Sequence, residues 1–358
     1  MWIALLLLLA QPRDVGELLK PIRDKHDVPG LAAVLVDGEK VTMAGAVGVR
    51  KRGADDALTI DDTFHLGSCT KSMTATMIAT LVADGKLKWT STVGEVFGDM
   101  EDVHADWRGV TLEQLLTNSS GAPAGLDKDG LWGRLWAHKG TPTEARMKLV
   151  EGVVRRAPEA PPGTKFIYSN GGFAIAGAMA EKATGKAWED LMRERVFEPL
   201  GMSSAGFGAP GTREKVDQPR GHTTKGAAVE PGPGSDNPVA IGPAGIVHAS
   251  LGDWSKYVSL HVRGAKHSKC PKALTAELFE KMHAPALQNY AMGWSRATRA
   301  WGGTVFTHNG SNTMWFAVTW LSPSKDFAVV VATNQGGDAA ARACDEAAWA
   351  LIQEHIKK

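Results

Sequence analysis

The apolar positions of this chain follow two different periods. Near both ends of the chain they alternate or form short continuous runs, which is typical of β-strands. Between about residues 90 and 240 they recur at helical spacing, separated by loops rich in Gly and Pro. Strands are predicted at residues 31–36, 41–49, 303–308, 315–321 and 327–333, and the main helices at residues 15–27, 70–84, 143–156, 172–184, 187–196, 250–263 and 339–356.

The order of these elements predicts an α/β (α+β) fold. One antiparallel sheet would be built from strands at both ends of the chain and flanked by the terminal helices, with a mostly helical insert between them. We assign residues 12–64 and 241–358 to the sheet subdomain and residues 65–240 to the helical subdomain, the two forming one continuous domain. A binding site is expected in the cleft between them, where pockets usually form.

Composition and charge narrow the function classes. The chain has 358 residues, is 43% hydrophobic and carries a formal net charge of +1, so nucleic acid is not an expected partner. Residues 1–10 contain a leucine-rich run that is too short to span a bilayer, so no stable membrane span is expected. The run suits a signal peptide, which predicts a periplasmic or secreted protein, with a cytoplasmic location as the alternative.

The cysteine content does not indicate a metal centre or a disulfide framework. No cluster of His, Cys and carboxylate residues has the spacing of a zinc site, so no metal is expected, and no cofactor is expected either. The cysteines are Cys69, Cys270 and Cys344, an odd and sparse set. A disulfide between Cys270 and Cys344 is possible, and the sequence does not decide whether it forms. We interpret Cys69 as a small packed thiol, because no local histidine would serve it as a base.

The first chemical motif is Ser68-x-x-Lys71, at the start of the helix predicted for residues 70–84. Side chains three residues apart share one face of a helix, so the hydroxyl and the amine would be within reach of each other. A helix N-terminus also offers free backbone N–H groups and a positive dipole end, both of which favour an alkoxide. The motif therefore predicts a serine nucleophile with a lysine base.

The Ser-x-x-Lys spacing is a weak pattern by itself, because the chain contains a second copy. Ser322 and Lys325 have the same spacing, between two predicted strands. Pro323 and Asp326 indicate that this second copy is a turn. Only the first copy opens a helix, so only the first is a candidate site.

A second candidate group is Tyr168-Ser169-Asn170, which follows a Pro-Pro-Gly turn and precedes a predicted helix. A phenol can pass protons when a nearby ammonium lowers its pKa. An asparagine can hold a substrate amide through both its donor and its acceptor. The alternative interpretation is a turn tyrosine beside an asparagine that caps the next helix.

A third candidate group is His308-Asn309-Gly310-Ser311, at the end of the strand predicted for residues 303–308. A glycine at a strand edge lets a substrate backbone approach closely. The backbone N–H of Ser311 would be a second oxyanion donor beside that of Ser68, and such donors are worth about 3 kcal/mol each in the transition state. The alternative is an ordinary turn at the end of a strand.

Taken together and in this order, Ser-x-x-Lys, Tyr-x-Asn and His-x-Gly resemble the serine β-lactamase and penicillin-binding-protein superfamily. The resemblance is greatest to the branch of class C β-lactamases, D-alanyl-D-alanine carboxypeptidases and carboxylesterases, which uses Tyr-x-Asn. It covers nearly the whole chain from about residue 14. The segments that carry it are LLTNSSGAP at residues 115–123, YSNGGFAIAGAMAEKATG at 168–185, FEPLGM at 197–202 and PAGI at 243–246.

The resemblance implies a role for each matching residue. Ser68 would be the nucleophile, Lys71 the base or its proton partner, and Tyr168 the proton shuttle. The substrate-binding residues would be Asn170, His308, Gly310 and Ser311. Lysine and tyrosine pKa values lie near 10 and would have to fall by about 3 units for either group to act as a base at neutral pH. A closely packed Lys71–Tyr168 pair at a helix N-terminus is expected to supply that change.

The third group departs from the Lys-Thr-Gly of β-lactamases in this branch. His308 is mostly neutral at pH 7 and Asn309 has no hydroxyl, so a substrate carboxylate should be bound more weakly. We therefore expect a serine hydrolase that forms an acyl-enzyme with a small-molecule ester or a D-amino-acid peptide. The alternatives are a class C-type β-lactamase and a non-catalytic penicillin-binding or scaffold module. An α/β hydrolase is disfavoured because the chain has no Gly-x-Ser-x-Gly elbow, and the oligomeric state is left open.

Overall fold

A computed structural model describes residues 11–357 of the chain. The predicted signal segment, residues 1–10, lies outside the described residues. The strands are β1 (Arg13–Asp14), β2 (Gly30–Asp37), β3 (Lys40–Gly48), β4 (Thr63–His65), β5 (Gly206–Phe207), β6 (Gly221–His222), β7 (Ala228–Val229), β8 (Val247–Ser250), β9 (Ser295–Arg299), β10 (Gly303–Ser311), β11 (Phe316–Ser322) and β12 (Phe327–Thr333).

The α-helices connect and cover these strands. They are α1 (Gly16–His26), α2 (Thr70–Ala83), α3 (Val93–Val96), α4 (Ala105–Arg108), α5 (Leu112–Leu116), α6 (Leu131–Trp136), α7 (Pro142–Val154), α8 (Asn170–Thr184), α9 (Trp188–Met192), α10 (Glu198–Leu200), α11 (Gly242–Gly245), α12 (Leu251–Arg263), α13 (Ala276–His283) and α14 (Asp338–Ile356). Among residues 11–357, no helix is long and apolar enough to cross a membrane.

The main sheet joins the two ends of the chain. Its seven strands have the order β1-β3-β2-β12-β11-β10-β9, so the first strands pair directly with the last one. The β2–β12 pair is antiparallel and aligns Leu31 with Thr333 and Asp37 with Phe327. This is the predicted mixed α/β fold with a mainly antiparallel sheet, and among the strands of residues 11–357 only the two-residue β1 runs parallel to its neighbour in this sheet.

Both faces of the sheet are covered, which explains why β2 and β12 are apolar at nearly every position. Helices α1 and α14 pack on one face, where Leu19, Leu35, Val329 and Cys344 belong to one buried cluster. Helix α12 and the helical part of the chain cover the other face, in a larger cluster. Burial on both faces favours continuous apolar runs over the alternation of a half-exposed strand.

Helix α2 is buried on every side over most of its length. Its residues from Thr70 to Leu81 are all buried. The polar members are satisfied inside the protein: Thr74 Oγ1 donates to the Pro243 carbonyl at 2.7 Å, and Thr80 Oγ1 donates to the Met77 carbonyl at 2.7 Å. A helix that is held in this way can carry reactive groups in fixed positions. Gly85 follows its end with φ +69°, in agreement with the predicted stop.

Several parts of the β-structure were not predicted correctly, among them the small β4-β8-β5 sheet. The edge strand β9 was missed, because its sequence Ser-Arg-Ala-Thr-Arg is polar and half exposed. Strand β10 does not end at His308 but continues to Ser311, paired with Phe316 of β11. The Gly- and Pro-rich part of the chain, where no strand was predicted, also contains the small β6–β7 pair.

Candidate active site

The nucleophile candidate sits on a tight turn that leads directly into α2. Residues Gly67–Cys69 form one turn of 3₁₀ helix immediately before Thr70. Gly67 has φ +50°, a left-handed conformation that a side chain would strain, and a β-carbon there would lie 2.3 Å from the Ser311 nitrogen. The turn therefore requires glycine, and it presents Ser68 at the start of the helix.

Lys71 is held beside Ser68 by three hydrogen-bond partners. Its Nζ lies 3.0 Å from Ser68 Oγ, 2.7 Å from Asn170 Oδ1 and 2.9 Å from the Ala244 carbonyl oxygen. Asn170 is the first residue of α8, and Ala244 lies in α11, so elements distant in sequence fix the amine. Sequence reasoning selected Asn170 but missed the Ala244 carbonyl, because a backbone acceptor leaves no trace in residue type.

The amine of Lys71 has an altered acidity. The side chain is fully buried, and burial lowers the pKa of Lys71 to about 7. A neutral amine keeps only part of its donor capacity, and the two carbonyl-type acceptors can take those hydrogens. Its lone pair is then free to point toward Ser68 Oγ. The geometry allows Lys71 to accept the serine proton near neutral pH.

Tyr168 contributes a phenol in its neutral form. Lys71 Nζ lies over the face of its ring, 4.7 Å from the centroid. Although 37% of Tyr168 is exposed, the packing around its hydroxyl raises its pKa above the ordinary value, and the neighbouring Ser68 side chain only partly opposes this. The expected lowering of both pKa values is therefore found only for Lys71. The phenol is suited to donate a proton rather than to act as a base.

The third group forms a wall against the nucleophile turn. A β-carbon at Gly310 would lie 2.1 Å from the Leu66 carbonyl oxygen and 2.5 Å from the Ser68 nitrogen. The backbone of β10 can approach this closely only because residue 310 is glycine. Ser311 follows on the same strand, and its backbone nitrogen lies against Gly67. The strand thus brings the Ser311 and Ser68 backbones together.

Both ring nitrogens of His308 have hydrogen-bond partners within the protein. Its Nδ1 lies 2.5 Å from the Asn309 carbonyl oxygen, and its Nε2 lies 3.1 Å from the Tyr290 hydroxyl. The carbonyl can only accept, so Nδ1 carries the hydrogen and Nε2 accepts from Tyr290. Burial, helped by the charge of Lys71, lowers the pKa of His308 to about 4. The ring is neutral at pH 7, as its residue type suggested.

Tyr290 is a site residue that sequence reasoning missed. It lies just before β9, far from the three motifs in sequence, and its ring contacts both Tyr168 and His308, with centroids 6.3 Å and 5.8 Å away. A cleft of about 290 Å³ opens beside these rings. Its walls are formed by Tyr168, Tyr290, Ser295, Thr307, His308, Asn309, Val318, Trp320 and Asp345. The cleft is large enough for part of a small organic substrate.

The cysteines do not form part of this chemistry. Cys69, Cys270 and Cys344 are all unbridged, so the open Cys270–Cys344 pairing is not made. Burial raises the pKa of the Cys69 thiol well above its ordinary value, which keeps it protonated beside Ser68. Within residues 11–357, no group of three or more His, Cys, Asp or Glu side chains is arranged to hold a metal ion.

Comparisons with known proteins cover nearly the whole chain. The family model described as Beta-lactamase matches residues 15–354, which is nearly all of the chain. Penicillin-binding protein 4 of Amycolatopsis lactamdurans is 28% identical over 333 residues, covering 89% of this chain and 84% of that protein. The unguisins hydrolase of Aspergillus campestris is 27% identical over 343 residues, covering 90% of this chain and 61% of that protein.

A solved structure supports the same fold. The D-alanine carboxypeptidase AmpC from Burkholderia cenocepacia superimposes with a TM-score of 0.74 at 19% sequence identity. The match covers 94% of this chain and 96% of that one. At this identity the likeness concerns the fold, in which a sheet built from both chain ends is combined with a helical region.

Proposed function

This chain belongs to the beta-lactamase family of serine hydrolases, and on that premise we propose that it hydrolyses an ester or a D-amino-acid peptide through an acyl-enzyme on Ser68. One observation carries the proposal. Ser68 Oγ lies 3.0 Å from the Nζ of a buried lysine, and burial brings the pKa of that lysine to about 7. This arrangement activates a serine at neutral pH.

The first half of the proposed reaction forms the acyl-enzyme. Ser68 Oγ attacks the substrate carbonyl carbon while its proton passes to Lys71 Nζ. The carbonyl oxygen becomes an oxyanion, for which the backbone N–H groups of Ser68 and Ser311 are the proposed donors. The bond to the leaving group then breaks, and the neutral phenol of Tyr168 is placed to protonate the departing oxygen or nitrogen.

The second half releases the acyl group. Water takes the position of the leaving group and attacks the ester carbon of the acyl-enzyme, giving its proton to the Tyr168 oxygen, which the first half left as a phenolate. The tetrahedral intermediate collapses, the Ser68 oxygen regains a proton from Lys71, and the acid product leaves. Asn170 keeps Lys71 in place through both halves, at 2.7 Å from its amine.

The electrostatics of the site favour a substrate that is uncharged near the reacting bond. The residues that line the cleft beside His308 include no Lys or Arg, and the charged side chain among them is the carboxylate of Asp345. His308 is neutral, and both of its ring nitrogens are already bonded within the protein. A substrate carboxylate would find no permanent cation on this wall. We therefore rank esters and internal or blocked peptide bonds above substrates with a free carboxylate.

The alternatives carry less support. Efficient β-lactam turnover needs recognition of an anionic carboxylate, which the neutral His308 does not favour. A non-catalytic scaffold would gain nothing from burying a lysine at its cost in stability beside a serine. The contacts of Lys71 with Ser68 and Asn170 support the proposal that it is a reacting group.

Intact-mass spectrometry tests this proposal, with the Ser68→Ala variant as control. The protein is incubated separately with a p-nitrophenyl ester, with a penicillin, and with an N-acyl-D-alanyl-D-alanine peptide in two forms, one with a C-terminal amide and one with a free C-terminal carboxylate. We expect only the wild type to release p-nitrophenol. We also expect the wild type to cleave the peptide with the C-terminal amide faster than the peptide with the free carboxylate. A stable penicillin adduct on Ser68 would show that the site is acylated readily by penicillin and is deacylated slowly. Wild-type protein that is neither labelled nor active would contradict the proposal.

Export of the protein is a separate proposal that rests on residues 1–10. Their leucine-rich run suits a signal peptide. Cell fractionation with N-terminal sequencing of the recovered protein tests it. A full-length chain found only in the cytoplasm would contradict export.

A further inference from the structure

A buried histidine–aspartate pair lies directly behind the nucleophile turn and has no part in the proposed reaction. His65 is the last residue of β4, three positions before Ser68, and it is fully buried. Its Nε2 lies 2.7 Å from Oδ1 of Asp236, which is 9% exposed. Asp236 comes from the long loop after β7, so the pair connects distant parts of the chain.

The hydrogen bonds define which ring nitrogen of His65 carries the proton. The Gly67 backbone N–H donates to Nδ1 at 3.1 Å, so Nδ1 must be an acceptor. Nε2 therefore carries the hydrogen and donates to Asp236. Asp236 Oδ1 is held in turn by the Asn237 N–H at 2.7 Å. The result is a directed chain of hydrogen bonds from Gly67 through His65 to Asp236.

Gly67, where this series of hydrogen bonds begins, has a conformation that shapes the oxyanion side of the site. Gly67 has φ +50°, and it is packed so tightly that a β-carbon would lie 2.3 Å from the Ser311 nitrogen. Rotation of the Gly67 peptide would move the Ser68 backbone that follows it. An acceptor fixed at His65 Nδ1 opposes that rotation.

The His65 ring also reaches the other side of the oxyanion site. Its centroid lies 5.8 Å from that of Trp315, which is 1% exposed. The Trp315 carbonyl accepts a hydrogen bond from Ser311 Oγ at 2.6 Å. One ring thus contacts the Ser68 turn through Gly67 and the Ser311 strand through Trp315.

We propose that His65, oriented by Asp236, is a positioning residue that sets the relative placement of the Ser68 and Ser311 backbone N–H groups. The inference rests on the proposed function, because it assigns His65 to the oxyanion site of that reaction. The placement of these two N–H groups matters for the oxyanion of the tetrahedral state and not for binding the planar substrate carbonyl. Loss of this geometry should therefore lower kcat more than it changes KM.

Two variants separate the two hydrogen bonds of the ring. In His65→Asn the amide oxygen can stand near the position of Nδ1 and accept from Gly67, but the side chain is too short for Asp236. In His65→Gln the amide nitrogen can reach Asp236, but no acceptor remains for Gly67. We expect kcat to fall about 10²-fold in His65→Gln, as a small misplacement can cause, and far less in His65→Asn.

The readouts are kcat and KM for an ester, the inhibition constant of a boronic acid that forms a tetrahedral adduct with serine, and the melting temperature. In His65→Gln the boronate should bind more weakly in proportion to the loss in kcat, with KM nearly unchanged. If this variant does not fold, Asp236→Asn replaces it, with a smaller loss expected in the same two quantities.

The possible outcomes are distinct. Equal kcat in wild type and His65→Gln would overturn the inference while the proposed function stands. Parallel losses of kcat and melting temperature in both His65 variants, with unchanged boronate affinity relative to KM, would assign His65 a structural role only. An inactive wild type would contradict the proposed function and this inference with it.

Discussion

Lys71 Nζ lies 3.0 Å from Ser68 Oγ, and the other two partners of this amine are oxygens of an amide and a peptide carbonyl. Those oxygens can only accept, so they orient the N–H bonds of the amine and leave its lone pair for the serine proton. Hydrogen bonds to three acceptors favour the ammonium form, but burial outweighs them and lowers the pKa of Lys71 to about 7.

Replacement of this lysine should stop acylation without unfolding the protein. We expect Lys71→Ala to lower the rate of Ser68 acylation by a p-nitrophenyl ester at least about 10²-fold, because the general base is lost. Intact mass measures the acylation, and circular dichroism measures the fold. Lys325→Ala is the matched control, since Lys325 belongs to the second Ser-x-x-Lys and its side chain is exposed. Normal acylation in Lys71→Ala would show that another group is the base.

The activity should depend on pH through the same amine. Because the neutral form of Lys71 is the base, kcat/KM should rise with pH and reach half of its plateau near pH 7, the pKa of the buried amine. Asn170→Asp would place a carboxylate at the 2.7 Å contact and stabilise the ammonium. The half-point should then move up by about 1 to 3 pH units. Asn309→Asp adds a charge outside this contact and should shift the half-point of the pH profile less. A downward shift of the half-point in Asn170→Asp would refute the assignment of Lys71 as the base.

The role of Tyr168 can be tested by comparing the hydrolysis of esters whose leaving groups differ in their need for a proton. Tyr168→Phe keeps the ring over Lys71 but removes the phenol, which is neutral because its pKa is raised. Hydrolysis of an alkyl ester, whose leaving oxygen needs a proton, should fall about 10²-fold or more. A p-nitrophenyl ester should lose much less, because its leaving group departs as an anion. The same loss for both esters would mean that Tyr168 acts at another step.

Gly310 should be required for the contact between the strand and the nucleophile turn. In Gly310→Ala the added methyl group would meet the Leu66 carbonyl at 2.1 Å and the Ser68 nitrogen at 2.5 Å. The strand must then move away, and kcat should fall about 10²-fold. Gly109→Ala, where an added β-carbon would meet nothing within 4 Å, is the matched control and should retain its activity. Steady-state kinetics gives kcat for both variants. A Gly310→Ala variant with the kcat of the wild type would contradict the proposed contact.

Much of the fold was readable from the sequence, for a physical reason. Strand β12 was predicted at residues 327–333 and forms there, because a strand buried on both faces leaves a continuous apolar run. Strand β9 gave no such pattern, since its residues are polar and sit at the sheet edge. Its existence depends on pairing with β10, which is a tertiary relationship.

The sequence by itself determined which residues were candidates for the chemistry. Side chains three apart on a helix must share a face, so Ser68 and Lys71 could be paired without a structure. The sequence also indicated a neutral histidine at position 308. These conclusions depend on local geometry and on residue type, which the sequence records directly.

Only the tertiary structure decided how those residues are tuned. Burial of Lys71 beneath α8 and α11 sets its pKa, and the packing around Tyr168 moves the pKa of the phenol in the opposite direction from the one expected. Tyr290, the Ala244 carbonyl and the His65–Asp236 pair act on the site from positions far away in the chain. Desolvation and hydrogen bonding depend on which atoms meet in space, and no pattern along the chain specifies that.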